Sequence, residues 1–252
     1  DAYALSKGIE VIPILQTLAH LDPMFRWSKF GAIRDNEGIL LVGEDKTYEF
    51  IDCMLKTVAE TFTSKTVHLG MDEAFTLGRG QYYDKNGDCP GTEIMKTHLD
   101  KVLDLTKKYG FVCEMWGDMY IRLAYGEYDT GDFTCDKAEE VARYVPENVT
   151  LVYWDYYSLE KSHYDDRIEK FLRLTDNVSF AGGAWNWLGF CPDNTYGIEA
   201  TKQAFASCLE HKIKDVFITT WGDNGGETTA FAVLPTFVCA SEFAKGNFDM
   251  ET

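Results

Sequence analysis

The sequence is short of positive charge: 24 basic residues stand against 41 acidic ones, a net charge of −17. Such a surface repels phosphate backbones and anionic headgroups, which argues against nucleic acid and membrane surfaces as partners. Long apolar runs are missing as well, none approaching the roughly 18 residues of a membrane span. The first residues have neither the basic start nor the apolar centre of a signal peptide, so the expected setting is cytoplasmic. Proline is scarce, with six in 252 residues, and no repeat, low-complexity tract or linker breaks the chain. Residues 1–252 therefore read as one domain. The seven cysteines (Cys53, Cys89, Cys113, Cys135, Cys191, Cys208, Cys239) form no CxxC and no Cys/His group at zinc spacing. Their odd number and scatter predict reduced thiols buried in the core.

What is there is an alternation. Apolar, β-branched or aromatic runs at 11–17, 66–71, 111–115, 150–153, 178–184 and 215–220 read as strands buried on both faces. Between them lie stretches with helical spacing. Ile51, Met54, Leu55, Val58 and Phe62 share one face, as do Met95, Leu99, Val102 and Leu103. Further helices are expected over 134–145, 164–174, 198–212 and 228–244, with Pro235 kinking or ending the last. This is the pattern of an α/β fold with a parallel sheet, and the length suits a (β/α)8 TIM barrel. Only six β/α units are represented, and residues 2–8 read as the tail of a helix closed by Gly8. The expectation is a barrel with six of its eight units in this chain.

In a parallel barrel the chemistry gathers where the strands end. His20 follows the first run, and the second contains His68 and ends in Asp72 and Glu73. The third ends in Trp116-Gly117-Asp118 and the fourth in Trp154-Asp155-Tyr156-Tyr157. The fifth ends in Trp185-Asn186-Trp187 and the sixth in Trp221-Gly222-Asp223-Asn224. Five of the six tryptophans stand at strand ends, Trp27 being the exception. Indoles mixed with carboxylates suit a sugar, whose C–H faces pack on aromatic planes while its hydroxyls bond to acids and amides. Asp72 and Glu73 close a buried run, where a carboxyl's neutral form is favoured, as a general acid requires. Glu114, Asp118, Asp155 and Glu227 lack an accompanying histidine pair, so neither a metal nor a cofactor is expected.

The segment His68-Leu69-Gly70-Met71-Asp72-Glu73 resembles the His-x-Gly-x-Asp-Glu signature of glycoside hydrolase family 20, the β-N-acetylhexosaminidases. The resemblance extends along the chain, with 9–13 similar to the family's third barrel strand, which makes the six runs strands three to eight. It implies an exo-acting hydrolase of terminal N-acetylglucosamine or N-acetylgalactosamine on β-linked glycans. Its implied mechanism is retaining and substrate-assisted, through an oxazolinium. Glu73 is then the acid/base, Asp72 the partner of the acetamido N–H, and His20 a member of a relay orienting the pair, while His68 is either a further member in contact with the sugar or a satisfied core histidine. Tyr156, with Tyr157 in reserve, is the implied holder of the acetamido oxygen. The family's tyrosine often comes from the next strand, where this chain has Trp185 and Trp187. Trp116, Trp154 and Trp221 are the implied pocket walls, with Asp223 and Asp118 on hydroxyls. The family's sugar-binding arginine comes from a first strand that has no counterpart here. A non-catalytic sugar-binding barrel is the alternative.

Overall fold

Apolar runs bounded by charge become strands, and amphipathic runs become helices, in the computed structural model, which describes residues 1–126 and 135–249. The chain divides into two compact units, Asp1–Leu151 and Val152–Thr252, with the boundary inside one strand.

The first unit opens with α1 (Ala2–Leu5), and Gly8 behind it is left-handed at φ 72°, as the sequence predicts. After α2 (Asp22–Phe25) comes an antiparallel ribbon of β1 (Arg34–Asn36) and β2 (Ile39–Leu40). These strands are too short for a period of two to register in the sequence. Then follow α3 (Asp45–Thr61), β3 (Thr66–His68), α4 (Gln81–Asn86), α5 (Gly91–Tyr109) and β4 (Val112–Trp116). The unit finishes with α6 (Asp118–Tyr125), α7 (Ala138–Val141) and the start of β5 (Val149–Trp154). Thr134, where a helix was expected to begin, lies outside the described residues. Helix α3 packs on α5. Ile51, Leu55 and Val58 from one and Leu99 and Val102 from the other are buried. At about 1.5–3 kcal/mol each, these side chains outweigh the tenths of a kcal/mol by which propensities differ, so packing fixes the pair.

Strands β3 and β4 run parallel, with Val67 opposite Cys113 and His68 opposite Glu114. The run at 11–17, expected to be a strand, lies beside β3 without becoming one. His68 N–H donates to Pro13 O (3.0 Å), Leu15 N–H to His68 O (2.8 Å) and Thr17 N–H to Leu69 O (3.1 Å). Only Ile14 opposite His68 forms a bridge. Pro13 has no N–H to extend the ladder, and Gly70 and Met71 leave the extended region at φ 71° and 72°. Among the described residues the parallel sheet therefore has five strands, not six, in the order β3-β4-β5-β6-β7.

The second unit holds the end of β5, then α8 (Lys161–Leu172), β6 (Val178–Gly183), α9 (Asn194–Glu210), β7 (Val216–Thr219) and α10 (Leu234–Phe243). All six residues of β6 are buried, and it pairs in parallel with β7, Gly183 opposite Thr219. Helix α9 packs on α8 and α10. Pro235 neither kinks nor ends the last helix. It stands in the first turn of α10, where its missing N–H costs nothing, after a 3-10 turn over Ala230–Val233.

All seven cysteines are unpaired, but only Cys113, Cys208 and Cys239 are buried. Cys53 lies on the outer side of α3 and is exposed, as are Cys135 and Cys191. The expectation of seven core thiols fails because isolated cysteines carry no periodicity that reports a face. No helix among the described residues is long and apolar enough to cross a membrane.

Gly183 closes β6 against two aromatic rings: a Cβ there would lie 2.7 Å from Trp187 and 2.8 Å from Tyr156. Gly183→Ala is expected to lower stability by about 1–3 kcal/mol, the range for overpacking a filled core. Urea denaturation with an unchanged midpoint would contradict that packing.

Candidate active site

In the first unit, the turn after β3 carries the acid pair. Gly70, Met71 and Glu73 all have positive φ, and His20 on the facing loop does too, at 57°. Non-glycine residues in this region store strain of order 1–3 kcal/mol, and such residues cluster where function requires a fixed geometry. Glycine at 70 is required twice over. Besides its φ, a Cβ there would lie 2.5 Å from the backbone oxygen of Leu15 and 2.3 Å from Gln16 Oε1. The turn is pinned from several sides. Trp116 N–H donates to Gly70 O at 3.1 Å, Gly70 N–H to His68 Nδ1 at 3.1 Å, and Glu73 N–H to Asp118 Oδ2 at 2.9 Å.

His20 bridges the two acids. Its Nε2 lies 3.1 Å from Asp72 Oδ2 and 3.4 Å from Glu73 Oε2. The other oxygen of Asp72 accepts from Gln16 Nε2 at 2.9 Å. The hydrogen bond to Asp72 raises the pKa of His20 above its ordinary value against the opposing effect of burial, helped by the charges of Asp72, Glu73 and Asp118. Burial by itself would raise the pKa of Asp72. The hydrogen bonds from His20 and Gln16 outweigh it and bring the value below the usual carboxylate range. The neutral form expected for a carboxyl at the end of a buried run is thus not the form Asp72 takes. The ion pair is intact only between these two displaced values. It is lost when pH falls through the depressed pKa of Asp72 or rises through the raised pKa of His20. With the His20 side chain 42% exposed, its contribution to folding is small.

In the second unit the strand ends build an aromatic cluster. Trp154 and Tyr156 stack, ring centroids 5.6 Å apart and 26° between planes, since residues two apart on an extended segment share a face. Tyr156 meets Trp187 edge-on at 5.2 Å, and Trp185 lies 5.3 Å from Trp187 and 5.5 Å from Tyr157. Trp221 Nε1–H donates to the Tyr156 hydroxyl at 2.9 Å, and Trp185 Nε1–H to the Tyr156 carbonyl at 2.7 Å. Asp155 fastens this segment, accepting from Tyr153 OH (2.9 Å) and Tyr157 N–H (3.1 Å) with His163 Nε2 at 2.7 Å.

The sequence-predicted residues thus fall into two groups. His20, Asp72 and Glu73 come together in the first unit, and Trp154, Tyr156, Tyr157, Trp185, Trp187 and Trp221 in the second. Asp223 is exposed on a 3-10 turn over Asp223–Gly225. Tyr156 and Trp187 keep only 5% and 7% of their surface exposed inside the cluster, and three further expectations are corrected by burial. His68 is 1% exposed and packs on Trp116 with centroids 4.4 Å apart, and burial lowers its pKa to about 4. It is a neutral support under the turn with no surface for a sugar. Trp116, also 1% exposed, is core and not a pocket wall, and Asp118, 1% exposed, holds the backbone of Glu73 where a sugar hydroxyl was expected. Sequence reasoning passed over Gln16 and His163, whose partners are distant in sequence or carry no motif. Among the described residues, no three His, Cys, Asp or Glu side chains gather as a metal would require.

The chain is similar to several known proteins. A "probable beta-hexosaminidase" of Arthroderma benhamiae is 25% identical over 181 residues, 61% of this chain and 26% of its own length. A "beta-hexosaminidase" of Vibrio furnissii is 33% identical over 84 residues, 29% of this chain and 14% of its own. The chain therefore spans only about a quarter or less of these relatives. Among solved structures, a β-N-acetylhexosaminidase from Bacteroides fragilis superposes with a TM-score of 0.61 at 19% identity, over 96% of this chain and 48% of that one. An exo β-N-acetylglucosaminidase from Vibrio harveyi, in complex with N-acetylglucosamine, gives 0.63 at 15% identity, over 96% and 40%. At these identities the likeness is one of fold. The model of the glycosyl hydrolase family 20 catalytic domain matches residues 2–163, well over half of the sequence, and the chain belongs to that family.

Proposed function

We propose that this chain carries the catalytic machinery of an exo-acting β-N-acetylhexosaminidase. It would remove terminal N-acetylglucosamine or N-acetylgalactosamine from β-linked glycans with retention, assisted by the substrate's own acetamido group. The observation that carries the reading is the division of labour in the acid pair. Asp72, kept ionised by two donors, suits the acetamido N–H and the positive charge that grows on nitrogen as the acetamido oxygen attacks C1. Glu73, 38% exposed beside it, is accessible to the leaving oxygen, which it protonates as the C1–O bond breaks. It then takes a proton from the water that opens the oxazolinium. Taken by itself, the second unit offers the Tyr156 hydroxyl, oriented by Trp221, and aromatic rings around it, a chemistry suited to the polar groups and C–H faces of a sugar. These rings pack on one another as a compact cluster, not a line, which fits one sugar better than a row of them.

Three outcomes test this. Glu73→Gln is expected to lower turnover of substrates with poor leaving groups by roughly 10²–10⁴-fold and of activated aryl β-N-acetylglucosaminides far less, because a good leaving group needs little protonation. Equal losses would remove Glu73 from the acid role. Asp72→Asn should bring the titration of His20, followed by NMR, down toward an ordinary histidine, since the carboxylate is the main cause of its rise. A titration that stayed in place would refute the ion pair. On a chito-pentaose the first products should be monomer and tetramer. Early dimer and trimer without monomer would overturn the exo reading, and no hydrolysis at all with retained binding would favour a non-catalytic sugar-binding barrel.

A further inference from the structure

Gln16 has no place in the signature at 68–73 and lies 56 residues before the acid it touches. Its Nε2–H donates to Asp72 Oδ1 at 2.9 Å, while its own Oε1 is buried with no hydrogen-bond partner among the described residues. A buried carbonyl left without a partner costs free energy that offsets part of what the bond from Nε2 to Asp72 contributes, so the glutamine's main effect lies on the Asp72 carboxylate. The same Oε1 occupies the place that a Cβ at position 70 would take, 2.3 Å away. Gly70 in the signature and Gln16 outside it are therefore fitted to each other.

We infer that Gln16 is a positioning residue for the hydrolytic reaction: its amide fixes one oxygen of Asp72 while His20 holds the other, so that the carboxylate plane is set before substrate arrives. Two donors on different oxygens leave the carboxylate no rotation about its last bond without breaking one of them. An amide also cannot share a proton with its neighbour, as a second carboxyl would, so the charge on Asp72 survives beside Glu73. The titratable groups near Asp72 are His20 from the facing loop, which pairs with it, His68 from β3, which feels its charge, and Glu73 and Asp118, whose charges act on His20. The side-chain donors to its oxygens are His20 and Gln16, and its own backbone N–H adds a third bond.

The inference rests on the hydrolase reading, and its test separates the two. In Gln16→Met, assayed well below its thermal midpoint, kcat on an aryl β-N-acetylglucosaminide should fall about tenfold or more with KM little changed, the effect of a misplaced group. In Gln16→Glu the acidic limb of the kcat/KM profile should move to higher pH, because two carboxyls then compete for one proton. Independently of activity, the carboxyl carbon of Asp72, followed by ¹³C NMR, should titrate at higher pH in both variants than in the unaltered chain. A fall in thermal midpoint with unchanged kcat and an unmoved Asp72 titration would make Gln16 a structural residue and overturn the inference. If the Asp72 titration moves while the unaltered chain hydrolyses no hexosaminide, the positioning of Asp72 stands and the hydrolase reading falls.

Discussion

A carboxylate kept charged in a mostly buried place is the constraint on which the first unit turns. Burial raises the cost of the charge on Asp72, and the fold answers with two donors brought from the same short stretch, Gln16 and His20. That stretch must run close beside β3, and the hydrogen bonds of Pro13, Leu15 and Thr17 hold it there. The close approach in turn forbids a side chain at position 70. One electrostatic requirement thus reaches into backbone pairing, residue size and dihedral angle.

A parallel logic governs the second unit, with packing in place of charge. Tyr156 is gripped at three points: its ring by Trp154 and Trp187, its hydroxyl by Trp221 and its carbonyl by Trp185. The absence of a side chain at Gly183 makes room for two of these rings. Tyrosine and tryptophan have few rotatable bonds, so an interlocked set of them forms a stiff surface at low entropic cost. Asp155, with His163 and Tyr153, anchors the backbone behind it.

Much of this was legible in the chain and some was not, for physical reasons. The acid pair and the tryptophans at strand ends could be read because each sits directly after an apolar run, and strand ends are where a parallel sheet places its chemistry. The periodicity at 51–62 located α3 because a helix buries residues at fixed intervals. His68 stood open between a site and a core role because its burial depends on Trp116 from the neighbouring strand, a contact that adjacency in sequence does not report. Asp118 looked like a ligand residue for the same reason, its true partner being a backbone N–H 45 residues away. The run at 11–17 has a strand's composition, but composition does not record whether the ladder continues past Pro13 and Gly70. Gln16 stayed unread because glutamine has no default role, and only its two atoms' different fates, one bonded and one stranded, assign it one.

The left-handed residues at 20 and 73 set a limit on how this protein can be improved. A non-glycine residue in that region costs roughly 1–2 kcal/mol, and glycine's extra freedom in the unfolded chain costs only about 0.5–1, so on backbone conformation alone glycine is neutral to favourable at either position, with the bond from His20 to Asp72 counting against it at position 20. Selection for heat resistance alone would therefore drift toward glycine at the two residues that meet over the Asp72 carboxylate. A thermostabilised variant found without an activity screen is most at risk of having gained its stability there.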